Sequence, residues 1–206
     1  MEFSGKEIQE NKIYLMMNKP CGYVCSAASD SHKTVYQLLP QNLQKLVKNA
    51  KRGARLHTVG RLDCDTSGLL LITTDGYFSN YLTRSENQIS KTYKVLLEKS
   101  VNEEEKRLYR ENALLGLTLP EDKKAPREKA APALIEWISD NQAKIAITEG
   151  KFHEVKRIFS ALGNQVIELE RLSIQNLALD TNLKAGDFRE LETFEIESLL
   201  NKKREN

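Results

Sequence analysis

Gly60-Arg61-Leu62-Asp63-Cys64-Asp65-Thr66-Ser67-Gly68-Leu69-Leu70-Leu71 is the stretch on which the reading of this chain turns. Leu62 and Leu69 to Leu71 set Asp63 among apolar residues beside a glycine turn. A carboxylate buried there loses its charge unless it finds a cation or hydrogen-bond donors. Such an acid is kept for a structural turn or for chemistry. Asp63 is therefore the first candidate for a reactive residue, with a turn-capping acid as the bland alternative. Asp65 and Thr66 read as braces of the turn through side-chain to backbone hydrogen bonds. Cys64 is given no catalytic role.

Upstream, residues 12–17 are apolar and β-favouring, and Pro20 and Gly22 then enforce a turn. Leu43, Leu46 and Val47 recur at helical spacing, which predicts a short amphipathic helix over 41–50. Downstream, Tyr93, Val95 and Leu97 alternate with Thr92 and Lys94, as in a half-buried strand. Ser100 to Glu103 fits a capping box ahead of a helix over 103–114. Residues 116–132 read as a long surface loop, or a loop with a short strand. The segments 133–138 and 143–147 flank a turn and predict a hairpin. Val155, Ile158, Phe159 and Leu162 form a helical stripe closed by Gly163. A strand over 166–172, a helix over 192–200 and a charged tail complete the chain. Helices and strands mix without regular alternation, which predicts an α+β fold with a largely antiparallel sheet.

The 206 residues suffice for one large domain or two subdomains. With 40% hydrophobic and 29% charged residues the composition is that of an ordinary soluble protein. No apolar run reaches membrane-spanning length, and no basic-then-apolar leader opens the chain, so a cytoplasmic location is the expectation. A net charge of +2 argues against a general polyanion binder. The charge is uneven, however. Lys45, Lys48, Lys51, Arg52 and Arg55 precede the Asp63 stretch without an acid among them, and Lys123, Lys124, Arg127 and Lys129 form a second cluster. Such clusters suit phosphate contacts, although a solvated face is the plainer reading of either alone. Three cysteines are too few for a disulfide framework and lack zinc-site spacing, so they read as reduced, largely buried thiols. No glycine-rich phosphate loop and no metal-ligand cluster is present, so no cofactor and no metal is implied.

Three other segments accompany the Asp63 stretch in order: Met17-Asn18-Lys19-Pro20-Cys21-Gly22-Tyr23-Val24, Lys91-Thr92-Tyr93-Lys94-Val95, and Glu149-Gly150-Lys151-Phe152-His153-Glu154-Val155-Lys156-Arg157-Ile158-Phe159. Together the four resemble the motifs of the pseudouridine synthases, which isomerise uridine in RNA to its C-glycoside. The resemblance runs from about Ile13 to about Leu200. His32 to Pro40 and Thr73 to Gly76 favour the branch that modifies small-subunit ribosomal RNA. The family implies a central, mostly antiparallel sheet in two subdomains with a cleft between them.

The resemblance implies roles as well. Asp63 maps onto the nucleophile, and Tyr93 onto a tyrosine that stacks on the target base. Lys156 borders the apolar stripe of its helix and can reach the cleft to keep Asp63 charged. Arg157 lies farther round toward solvent and suits a phosphate. Arg61 fills the gap left by a flipped base or holds a phosphate, and Lys19, Lys51, Arg52 and Arg55 join the RNA-binding set. His57 and His153 read as structural. Glu154 stands where the family usually has glutamine, and could compete with Asp63 for Lys156. Residues 1–12 resemble the end of an S4-type RNA-binding domain, and 13–206 the catalytic domain. The implied partner is ribosomal RNA or a pre-ribosomal particle, met by a monomer with no membrane contact. Attack on the sugar, addition to the ring and a glycal route all remain open.

Three other readings compete. One is a non-catalytic RNA-binding or ribosome-assembly protein, which would not need a costly buried acid with Tyr93 and Lys156. Another is a synthase for large-subunit RNA. The third is a hydrolase pairing Asp63 with Asp65, but two acids so close on one turn rarely converge on one bond.

Overall fold

The computed structural model describes residues 12–48, 51 and 53–200. The reading of the first residues as the end of another domain, Arg52, and the charged tail lie outside them. The strands longer than two residues are β1 (Tyr14–Lys19), β2 (Thr66–Thr73), β3 (Lys91–Leu97), β4 (Leu134–Trp137), β5 (Gln142–Ile147), β6 (Val166–Ile174) and β7 (Phe188–Glu190). The α-helices are α1 (Gln41–Lys48), α2 (Gly76–Thr83), α3 (Glu103–Leu115), α4 (Glu154–Ala161) and α5 (Thr193–Leu200). The fold is α+β, and one sheet runs β7-β1-β2-β6-β3-β5-β4.

The burial of each strand follows from its neighbours. β1 and β2 are buried on both faces. Leu15, Met17, Leu70 and Ile72 enter one core, while Tyr14, Met16, Leu69 and Leu71 enter the other. That explains why β2 reads as an unbroken apolar run rather than an alternation. β3 and β5 bury only one face: Tyr93, Val95 and Leu97 on β3, and Ala143, Ile145 and Ile147 on β5.

The path is antiparallel except where β2 meets β6. There the pairing is parallel and sets Gly68 beside Arg171, which in turn faces Tyr93 on β3. A Cβ on Gly68 would sit 2.3 Å from the Arg171 carbonyl oxygen, and the residue has φ +97. Only glycine permits this approach. The join brings the turn before β2 toward the strand that carries Tyr93.

Several local predictions shift by a few residues. The capping box of α3 is Asn102 with Glu105 rather than Ser100 with Glu103, each side chain bonding the other's backbone N–H at 2.9 Å. The 116–132 loop is a ribbon. Thr118–Leu119 pairs with Glu128–Lys129, and Asp122 bridges Ala125 at the tip. α4 buries Val155, Ile158 and Phe159, as its stripe predicts, and Gly163 follows with φ +83. Among the described residues no helix is long and apolar enough to cross a membrane.

Candidate active site

The segment from Lys19 to Cys25 cradles the Asp63 turn through its carbonyl groups. The Lys19 ammonium donates to the carbonyls of Asp63 (3.0 Å), Thr66 (2.7 Å) and Pro20 (3.1 Å). Gly22 N–H donates to the Cys64 carbonyl at 2.7 Å, and Cys21 Sγ–H to that of Asp65 at 3.4 Å. Cys25 Sγ accepts from Leu62 N–H and lies 3.5 Å from the Leu62 carbonyl. The carbonyls of residues 62 to 66 are all engaged by this one segment. Lys19 is 0% exposed, which corrects its assignment to RNA binding: its charge is spent on the turn. Burial lowers its pKa. Cys25 is buried and Cys64 half-buried, but Cys21 is exposed, against the expectation for all three.

The turn presents Asp63 to a cavity of about 280 Å³. Arg61, Tyr93, Phe152, His153 and Lys156 also line it. Asp63 is half-buried rather than enclosed, its side chain 35% exposed. Two nitrogens from α4 and the residue before it approach Asp63 Oδ2: Lys156 Nζ and His153 Nε2, each at 3.7 Å. Each is bound more closely by a second acid. Lys156 Nζ donates to Asp65 Oδ1 at 2.6 Å, and His153 Nδ1 lies 2.7 Å from Asp122 Oδ2. Asp65 therefore serves Lys156 rather than bracing the turn, and Thr66 Oγ1 is buried without a partner. Burial raises the Asp65 pKa, but the hydrogen bond and charge of Lys156 outweigh it and hold the carboxyl below its usual range.

Tyr93 is buried and lines this cavity, on the strand that the β2–β6 join brings near Asp63. Arg61 is exposed and borders both the cavity and a wider groove of about 580 Å³. Lys123 and Lys124 line that groove beside Asp63. Lys51 and Arg55 are exposed but line neither space.

Arg157 corrects the sequence reading most sharply. It is 3% exposed, not solvent-facing. Its guanidinium donates to the carbonyls of Pro120 (2.8 Å), Pro126 (2.5 Å) and Phe152 (3.2 Å), and to Glu128 Oε1 (2.8 Å). The 118–129 ribbon, read from the sequence as a surface loop or a loop with a short strand, covers that face of α4. Glu154 does not compete for Lys156. It is 4% exposed, accepts from Lys151 N–H at 2.8 Å, and burial raises its pKa. His153, read from the sequence as structural, lines the cavity with its Nε2 3.7 Å from Asp63. The available signal was its place in the Glu149 to Phe159 motif, immediately before the helix that carries Lys156.

Lys91 lies beneath the site. Its ammonium donates to the carbonyls of Ile89 (3.1 Å) and Glu149 (3.2 Å). Burial, and then the nearby charge of Arg171, push its pKa down to about 8.

A mixed sheet with a turn-borne acid, a tyrosine and a lysine converging on one cavity is the architecture of an enzyme site. Residues 13–161 match the family model described as RNA pseudouridylate synthase, and the chain belongs to that family. It is a pseudouridine synthase, an isomerase. The chain is 38% identical over 192 residues to ribosomal small subunit pseudouridine synthase A of Escherichia coli, covering 93% of this chain and 76% of that protein. To the protein of the same name in Vibrio cholerae it is 39% identical over 201 residues, covering 97% and 79%. A crystal structure of a pseudouridylate synthase superposes with a TM-score of 0.79 at 38% identity, covering 93% of this chain and 75% of that one.

Proposed function

We propose that this protein converts a uridine of small-subunit (16S) ribosomal RNA to pseudouridine, with Asp63 as the nucleophile. The reaction breaks the bond from the sugar's anomeric carbon to the base nitrogen and joins that carbon to carbon 5 of the base. Carbon 5 loses a proton and the freed nitrogen gains one, so atoms balance without any redox partner. A carboxylate that bonds transiently to substrate splits this exchange into two easier steps.

The observation that carries the reading is the convergence of Asp63, Tyr93 and Lys156 on one cavity from a turn, a strand and a helix. The cavity has room for one nucleoside and not for a helical segment, so the target must leave its stack. The Tyr93 ring supplies a face for the flipped base. Lys156 offers positive charge to Asp63 without entering a direct hydrogen bond with it. Arg61, Lys123 and Lys124 supply cations at the rim for RNA phosphates. Relatives named for the small subunit support that RNA over the large-subunit RNA. A ribosomal RNA substrate supports a cytoplasmic location.

The test is to map pseudouridine in small-subunit ribosomal RNA from cells with the gene, without it, and with only Asp63→Asn. One modified position should vanish without the gene and stay absent with Asp63→Asn, while purified Asp63→Asn keeps its fold and its RNA affinity. An unchanged map without the gene would sink the substrate assignment, and wild-type turnover by Asp63→Asn that of the nucleophile.

A further inference from the structure

The start of α4 carries three polar side chains that reach two different segments. Lys156 goes to the 63–65 turn. His153 and Arg157, four residues apart, both go to the 118–129 ribbon. Arg157 pins its two legs through Pro120, Pro126 and Glu128. His153 takes its tip, with Nδ1 2.7 Å from Asp122 Oδ2. The same ring turns Nε2 toward Asp63 Oδ2 at 3.7 Å.

The placement of His153 is held by several constraints. Its backbone is left-handed, with φ 49 and ψ 32, which is uncommon for a residue with a Cβ. Its ring stacks on Phe152 with centroids 3.8 Å apart and planes at 24°. The hydrogen bond to His153 is the first cause holding the Asp122 carboxyl below its usual range. With Nδ1–H donating to Asp122, the ring plane is set and Nε2 faces Asp63 Oδ2, and a proton on Nε2 makes the ring a cation that attracts both carboxylates. Lys123 and Lys124, next to Asp122, line the same groove as Asp63.

We propose that His153 is a positioning residue for the Asp63 carboxylate, and that Asp122 holds it in place, so that the basic ribbon is coupled to the reacting acid. RNA phosphates engaged by Lys123 and Lys124 load the ribbon, and Asp122 and His153 pass its position on to Asp63. The inference rests on the reading of Asp63 as nucleophile.

The test compares single-turnover rates and RNA dissociation constants on a small-subunit ribosomal RNA transcript. His153→Ala and Asp122→Ala should each slow turnover by about tenfold, within the range of measured couplings between contacting residues, while RNA affinity stays within about twofold. The double variant should be no slower than His153→Ala. Two conservative variants separate the ends of the ring and serve if His153→Ala does not fold. His153→Asn tolerates the left-handed backbone and keeps a donor for Asp122, but cannot reach Asp63 and stays slow. His153→Gln reaches toward Asp63 and recovers part of the rate. Losses that multiply in the double variant, losses matched by weaker RNA binding, or wild-type rates in both single variants would overturn the coupling. Asp63→Asn run in parallel should be inactive. Turnover by that variant would overturn the nucleophile reading instead, whatever the His153 variants do.

Discussion

The buried ammonium of Lys19 donates to the backbone carbonyl of Asp63 at 3.0 Å. Asp63, the proposed nucleophile, is thus held by its main chain, by a lysine on β1. Its carboxylate is left free to face the cavity. A lysine in this place reads as an RNA contact in the sequence, because lysines are seldom enclosed. Here three carbonyls solvate the ammonium in place of water.

Lys19→Met should therefore damage the turn and not the RNA surface. It leaves the carbonyls of Pro20, Asp63 and Thr66 without their donor. The expected loss is about 2 kcal/mol of stability, partly offset by removing a buried charge. Denaturant unfolding should show that loss, and the salt dependence of RNA binding should keep the wild-type slope. A flatter slope with unchanged stability would restore Lys19 to the RNA interface.

Lys156→Met and Arg157→Met should fail in different ways. Lys156 Nζ lies 3.7 Å from Asp63 and 2.6 Å from Asp65, so its loss should cut turnover by about tenfold or more with little change in melting temperature. Arg157 is buried beneath the ribbon and leaves Glu128 and three carbonyls unpaired when truncated. Its loss should cost about 3 kcal/mol of stability. Thermal unfolding and single-turnover kinetics on both variants check this contrast. The reverse pattern would exchange the two roles.

Tyr93→Phe keeps the ring and loses only the hydroxyl, whereas Tyr93→Leu loses the stacking face too. Tyr93→Leu should forfeit a further ~1–3 kcal/mol of base-holding energy. The comparison is of kcat/KM on the same RNA. Equal behaviour of the two variants would show that stacking is not what Tyr93 contributes.

Stability should depend on pH through Lys91. Its folded pKa, about 8, lies below the ordinary 10.5. Between those values the unfolded chain binds more protons than the folded one, so stability rises with pH across that window. The contribution is complete above about 10.5 and is lost as pH falls through about 8. Denaturation midpoints measured from pH 8 upward should climb for the wild type relative to Lys91→Met. Parallel curves would show that Lys91 is not desolvated as described.

Much of this protein is legible in its linear pattern. The alternation in Tyr93, Val95 and Leu97, the stripe of Val155, Ile158 and Phe159, and the unbroken run of β2 each encode a local burial that one strand or helix can enforce by itself. Asp63, Tyr93 and Lys156 are recognisable because their motifs occur in order, and each motif carries its local geometry. What the pattern could not give was the partner of each polar side chain. Arg157 and Lys156 are adjacent in sequence, and only the ribbon packed over α4 decides which is enclosed. Asp65 and Asp122 take Lys156 and His153 because the β2–β6 join and the ribbon tip arrive there from distant parts of the chain. Local periodicity sets which face of an element is apolar. The tertiary fold alone decides what covers that face, and hence whether a charge meets water, a carbonyl or another charge.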